Sequence, residues 1–167
     1  MIKRKDQRIA VFIDTANMYH SAKHLYNARL NFKNVLEEAV SERQLIRAIA
    51  YTIRAESPEE QSFFDALEKL GFEVKSKDLQ TFAGGHKKGD WDVGIAVDML
   101  KMGPKLDAVI LCSGDGDFAD LLHHTKAEGC RAEVISFGRS TSQKLIDEAD
   151  DFTDLDQIKQ KVLLNKR

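Results

Sequence analysis

An α/β fold, with a mainly parallel sheet of about five strands between layers of helices, is what this sequence predicts. Two patterns carry the expectation. The runs "RIAVFID" (8–14) and "DAVILCS" (107–113) hold unbroken apolar, β-favouring cores, as strands buried on both faces require. Between such runs lie segments with helical start and stop signals. Strand and helix therefore alternate, which brings parallel pairing and right-handed crossovers.

Each element follows from its local chemistry. After the first strand, "TANMYHSAKHLYNARL" (15–30) reads as helix, and 31–40 holds a second, shorter one. "RAIAYTI" (47–53) is the next strand. "SPEEQSFFDALEKLG" then places Ser57 as N-cap, Pro58 at the first helical position, acids in the first turn and Gly71 at the end. "FEVKSKDL" (72–79) alternates like an edge strand, and "TFAGGHKKG" (81–89) is a glycine-rich basic loop. "DWDVGIAVDMLKMG" (90–103) predicts a helix with Val93, Ala96, Val97 and Leu100 on its apolar face. The strand 107–113, a helix over 117–129 and a fifth strand over 131–138 complete the core. The C-terminal "DQIKQKVLLNKR" predicts a short helical tail. No repeat or linker divides the 167 residues, so one domain is expected, with its core over about 8–155.

Composition narrows the function classes. A charged fraction of 31% beside 43% apolar residues is that of an ordinary globular protein. A formal net charge of −2 gives no global basic field for coating a duplex, although a local basic rim still suits a short phosphodiester. Two cysteines, Cys112 and Cys130, are too few for a disulfide framework or a structural zinc site, and Cys112 reads as a buried thiol. The N-terminal apolar run is too short for a signal-peptide core or a spanning helix, so no membrane association and a cytoplasmic setting are expected.

Topology then locates a site. Ligands of open α/β sheets bind beyond the carboxyl ends of the strands, where strand order reverses. In a 3-2-1-4-5 order the first and fourth strands are neighbours at that point, and Asp14 would meet Asp115. Asp14, Asp92, Asp115 and Asp117 all fall at strand ends or helix starts. Any one of them alone reads equally as a cap, Asp117 for the helix after it. Four at one mouth favour a hard cation, Mg²⁺ or Mn²⁺, which takes oxygen ligands and polarises water and phosphate. Asn17 suits a water or phosphate oxygen, or a cap of the first helix. Ser113 and Gly114 offer backbone N–H groups to a phosphate, or form just the turn. His86, Lys87 and Lys88 give the basic loop its charge beside Asp92, and Arg139, Ser140 and Lys144 are weaker candidates. Asp98 points away from the Val93/Val97/Leu100 stripe, so a solvated position rivals any role at the site. No Walker loop, dinucleotide fingerprint, calcium loop, nucleophile elbow, CxxC or HExxH pattern is present.

Three ordered segments, "VFIDTANMYHSA", "KKGDWDVGIAVDML" and "ILCSGDGDFADLL", resemble the NYN domain. More narrowly they are similar to its LabA/DUF88-type branch within the PIN-like nuclease superfamily, over roughly residues 8–155. The resemblance implies a PIN-like α/β/α sandwich and a metal-dependent ribonuclease site. The catalytic, metal-holding acids then fall on Asp14, Asp92, Asp115 and Asp117, with Asn17, Ser113 and Gly114 toward substrate and Asp98 behind them; the charge of the basic loop adds Lys88 on the substrate side. Gly116 departs from the S-G-D-S-D-F pattern common in that family. RNA, single-stranded, is the implied substrate, and a homodimer is compatible with it. A regulatory module binding RNA, nucleotide or protein through the same crevice without turnover is the alternative. Phosphatase chemistry on a small ester is weaker, because "DTAN" lacks the D-x-D of haloacid-dehalogenase-like enzymes.

Overall fold

The computed structural model describes residues 3–81, 87–88 and 90–164. Six strands form one sheet: β1 (Arg8–Asp14), β2 (Gln44–Arg54), β3 (Glu73–Asp78), β4 (Ala108–Cys112), β5 (Arg131–Ser136) and β6 (Asp151–Asp154). Their order is β3-β2-β1-β4-β5-β6, and every neighbouring pair is parallel. The predicted 3-2-1-4-5 order therefore stands, extended by one edge strand. β6 lies in the acid-rich stretch 147–156; its four residues are all half-buried, and its main chain pairs with β5.

Period two explains why the central strands look uniformly apolar. Along β1, Ile9, Val11 and Ile13 face one core cluster, whereas Ala10 and Phe12 face the other. In β4, Ala108, Ile110 and Cys112 join the first and Val109 and Leu111 the second. The first cluster is covered by α1 (Thr15–Tyr26), α2 (Phe32–Val40) and α3 (Glu60–Leu70), through Met18, Val35 and Leu67. The second is covered by α4 (Asp92–Met102), α5 (Ala119–Ala127) and α6 (Gln143–Glu148), through Ile95, Leu122 and Leu145. Both thiols are buried, and burial pushes Cys112 and Cys130 up to about 12, which leaves them inert.

Four sequence expectations change. α1 stops at Tyr26 because Asn27 turns left-handed (φ 50), and Arg29–Leu30 instead pairs antiparallel with Leu163–Leu164. The expected C-terminal helix is thus one turn, α7 (Lys159–Val162), ending in that small ladder. α3 begins at Glu60 rather than at Pro58; Ser57 Oγ instead accepts from the Glu59 N–H at 3.3 Å. Of the predicted apolar face of α4, Val93, Val97 and Leu100 point outward, Val93 75% exposed, and only Ala96 packs on the core; Ile95 and Met99 are fully buried. Apolar residues surround that helix, so periodicity alone could not select the side that docks. Of the basic loop, Gln80–Thr81 and Lys87–Lys88 form a short antiparallel ladder; His86 and the side chain of Lys88 lie outside the described residues.

Candidate metal centre at the carboxyl ends of β1 and β4

Strand order reverses between β1 and β4, and the chain leaves both parallel strands at the same edge. β1 ends in Asp14, whose side chain caps α1 by accepting from the Asn17 N–H at 3.2 Å. β4 runs into Ser113, whose fully buried hydroxyl accepts from the Asp115 N–H at 3.2 Å. Asp115 in turn accepts from the Asp117 N–H at 2.9 Å, so the cap of the following 3₁₀ turn is Asp115 and not Asp117. α4 delivers Asp92 at its first position, with the Asp92 N–H donating to Asp90 Oδ1 at 3.2 Å.

Three of the four predicted acids converge on one point. Each of Asp92, Asp115 and Asp117 offers a carboxylate oxygen, and these oxygens all lie within 4.8 Å of one another. Asp14 is outside that trio but inside its field. Burial, followed by the charges of Asp115 and Asp90 against the opposing Asn17 hydrogen bond, pushes its carboxyl up to about 6. Burial and then the charges of Asp115, Asp90 and Asp14 push Asp92 up to about 6 as well. Among the described residues no Lys or Arg pairs with these acids. The helix starts at Thr15 and Asp92 turn backbone N–H groups toward the same mouth, which favours negative charge there. The donor set is all oxygen, three carboxylates with room for water, and it fits a hard divalent cation such as Mg²⁺ or Mn²⁺.

The remaining candidates divide. Asn17 is the brace of the mouth: its Oδ1 accepts from the Gly114 N–H at 3.1 Å, joining the first turn of α1 to the loop after β4. That bond uses the Gly114 N–H that sequence offered to a phosphate. Gly114 itself is required by close approach, since a Cβ there would stand 2.6 Å from the Ser140 carbonyl oxygen. Asp98 sits further along α4, not solvated but 15% exposed, accepting from Tyr51 Oη at 2.8 Å and Lys75 Nζ at 2.7 Å. Arg139 turns from the mouth, pairing with Asp156 and lying over the Tyr26 ring.

One positioning residue went unnoticed in the sequence. Trp91 donates its indole N–H to the Thr52 carbonyl at 2.8 Å, packs on Tyr51 and carries Lys77 over its ring at 4.3 Å. It pins the start of α4, and hence Asp92, to β2. Its signal was a solitary tryptophan beside a candidate acid.

A parallel α/β sandwich with an acid-lined crevice at its topological switch point is the class these features define. The chain belongs to the NYN-domain family, whose model matches residues 8–156. It is 28% identical over 163 residues to the low amplitude and bright protein LabA of Synechococcus elongatus, spanning 93% of this chain and 87% of LabA. It is also similar to the crystal structure of VPA0982, a protein of unknown function from Vibrio parahaemolyticus RIMD 2210633. That match has a TM-score of 0.88 and 34% identity, covering 98% of this chain and all of the other. Among the described residues no helix is long and apolar enough to cross a membrane.

Proposed function

We propose that this protein is a Mg²⁺- or Mn²⁺-dependent endoribonuclease that hydrolyses phosphodiester bonds of single-stranded RNA. The observation carrying the proposal is the Asp92/Asp115/Asp117 oxygen cluster, with Asp14 beside it and no Lys or Arg partner among the described residues. A fold has no structural need to bring together carboxylates that raise one another's pKa, whereas a divalent cation relieves that repulsion. The cation supplies Lewis acidity toward water and phosphate. Asp92, Asp115 and Asp117 would hold it, and Asp14, whose carboxyl burial pushes up to about 6, orients the attacking water or accepts its proton. Asn17 keeps the Asp14 and Asp115 loops in register. The helix N-termini at Thr15 and Asp92 attract the phosphate. Lys88, of the basic loop, is the cation proposed to meet the RNA backbone.

The test is cleavage of a single-stranded RNA with Mn²⁺ by wild type, Asp14→Asn and Asp115→Asn, purified identically. Cleavage by wild type alone is expected. Equal activity in all three would sink the proposal, and RNA binding without cleavage by wild type would favour the regulatory alternative.

A further inference from the structure

Next to the acids, on the α1 side of the mouth, a groove of about 450 Å³ opens between α1, the end of β2 and the start of α3. It begins at Thr15, the residue after Asp14, and runs past Tyr19, His20, Thr52 and Phe63. We infer that this groove receives a nucleobase of the RNA whose phosphate lies at the acids. The inference rests on the ribonuclease reading for its substrate class and adds where the base goes.

Three observations carry it. First, the lining suits a flat aromatic ring and not a phosphate. Tyr19 is 43% exposed, its ring held edge-on by His20 at a centroid distance of 5.4 Å, which leaves a free aromatic face. Among the described residues no Lys or Arg lines the groove, and Glu59 and Glu60 stand at its α3 end. A phosphate is repelled there, whereas a base with exocyclic amino groups is not. Second, Thr15 Oγ1 is buried and has no hydrogen-bond partner among the described residues. A helical threonine populates two χ1 rotamers, so this hydroxyl can swing to meet a base edge. Third, the groove begins at Thr15, the residue that follows Asp14 at the carboxyl end of β1. Stacking on exposed aromatic side chains is how single-stranded nucleic acid is held with little sequence demand.

Nucleoside 5′-monophosphates test this without cleavage, since they contain no phosphodiester. Wild type, Tyr19→Ala and Thr15→Val are titrated with AMP, CMP, GMP, UMP and ribose 5-phosphate in Mg²⁺, by calorimetry and by amide NMR shifts. At least one nucleotide is expected to bind tenfold more tightly than ribose 5-phosphate, shifting the Tyr19 and His20 amides. Tyr19→Ala removes most of that advantage, and Thr15→Val reduces it for the base whose edge meets the hydroxyl. Equal binding of ribose 5-phosphate and all four nucleotides, or a Tyr19→Ala variant indistinguishable from wild type, overturns the inference. Wild type, assayed for both RNA cleavage and base discrimination, separates the two proposals. RNA cleavage without base discrimination removes the groove and leaves the ribonuclease. Base discrimination that persists in a wild type unable to cut RNA does the reverse.

Discussion

Asn17 Oδ1 accepts a hydrogen bond from the Gly114 N–H at 3.1 Å, across 97 residues of chain. The bond spans the switch point of the sheet and fixes how far the loop carrying Asp115 stands from the helix capped by Asp14. Removing it should loosen the mouth more than the fold. Asn17→Ala is expected to cost about 1–3 kcal/mol, the price of leaving a part-buried N–H unpaired. RNA cleavage should fall further, about 10- to 100-fold, as for residues that orient metal-holding groups. Asn17→Asp keeps the acceptor but adds a charge to the acids. It should fold as wild type, bind cation and cleave RNA at a different rate. Thermal unfolding and Mn²⁺-dependent cleavage, measured on both variants, check the split; loss of both in equal measure would make Asn17 merely structural.

Asp14 supplies a second prediction, with opposite signs with and without metal. Its native carboxyl is raised to about 6, chiefly by burial, from an ordinary 3.8. A raised carboxyl contributes stability fully present below its unfolded pKa and lost as pH rises through about 6. The chelated wild type should therefore gain stability on acidification from pH 7 toward pH 4.5 through this group. Asp14→Asn retains a good helix cap and lacks the buried charge. At pH 7.5 in EDTA it should be roughly 2 kcal/mol more stable than wild type, about 4–8 °C in Tm. Added Mg²⁺ should stabilise wild type more than the variant. A variant less stable than wild type in EDTA would remove the argument that these acids are held together against their repulsion.

The contrast between legible and hidden features has a physical origin. β1 and β4 were legible because both faces are buried, which forces unbroken apolar runs, and their shared edge placed Asp14 near Asp115 in advance. β6 was not, because an edge strand needs only main-chain pairing, and Asp151 and Asp154 look like surface. The docked side of α4 was illegible because valines and leucine compete with Ile95 and Met99 around one helix. That error mattered for Asp98, which faces Tyr51 and Lys75 instead of solvent. The cap offered as the alternative role of Asp117 falls on Asp115, two residues earlier, since alternate acids in "DGD" offer the same chemistry.

A third prediction concerns pH and a site remote from the mouth. Glu133, 3% exposed in its side chain, meets Arg43 at 2.8 Å and Arg131 at 2.9 Å. Burial alone raises its carboxyl, but Arg43 leads a set of cationic partners that together hold it below the ordinary 4.5. The sign is that of a depressed acid: the stabilisation is present above about 4.5 and is lost as pH falls through the lowered native pKa. Glu133→Gln leaves two buried guanidinium groups without a counter-charge and should cost about 3–5 kcal/mol at pH 7. The difference between variant and wild type should shrink below pH 4. Denaturant titrations at pH 7 and pH 3.5 decide, and a pH-independent difference would show that packing, not charge, is being measured.

The last prediction joins Gly116 to Ser142. Gly116 stands where the resembling family commonly has serine, and here a Cβ would lie 2.6 Å from Ser142 Oγ and 2.9 Å from its Cβ. The Ser142 N–H also donates to the Gly114 carbonyl at 3.0 Å, so the start of α6 is seated against the acid loop. Gly116→Ser should therefore push α6 and Asp115 apart, costing about 1–3 kcal/mol by overpacking and reducing Mn²⁺-dependent cleavage. Ser142 makes no side-chain capping bond at α6, so Ser142→Gly alone should be mild. Combined, the two changes should recover most of the loss in both stability and cleavage, because the new side chain takes the space the old one vacates. A double-mutant cycle measures this as a coupling energy above about 0.5 kcal/mol. Additive effects would mean that Gly116 is there for its backbone, and that the contact with Ser142 does not set the position of Asp115.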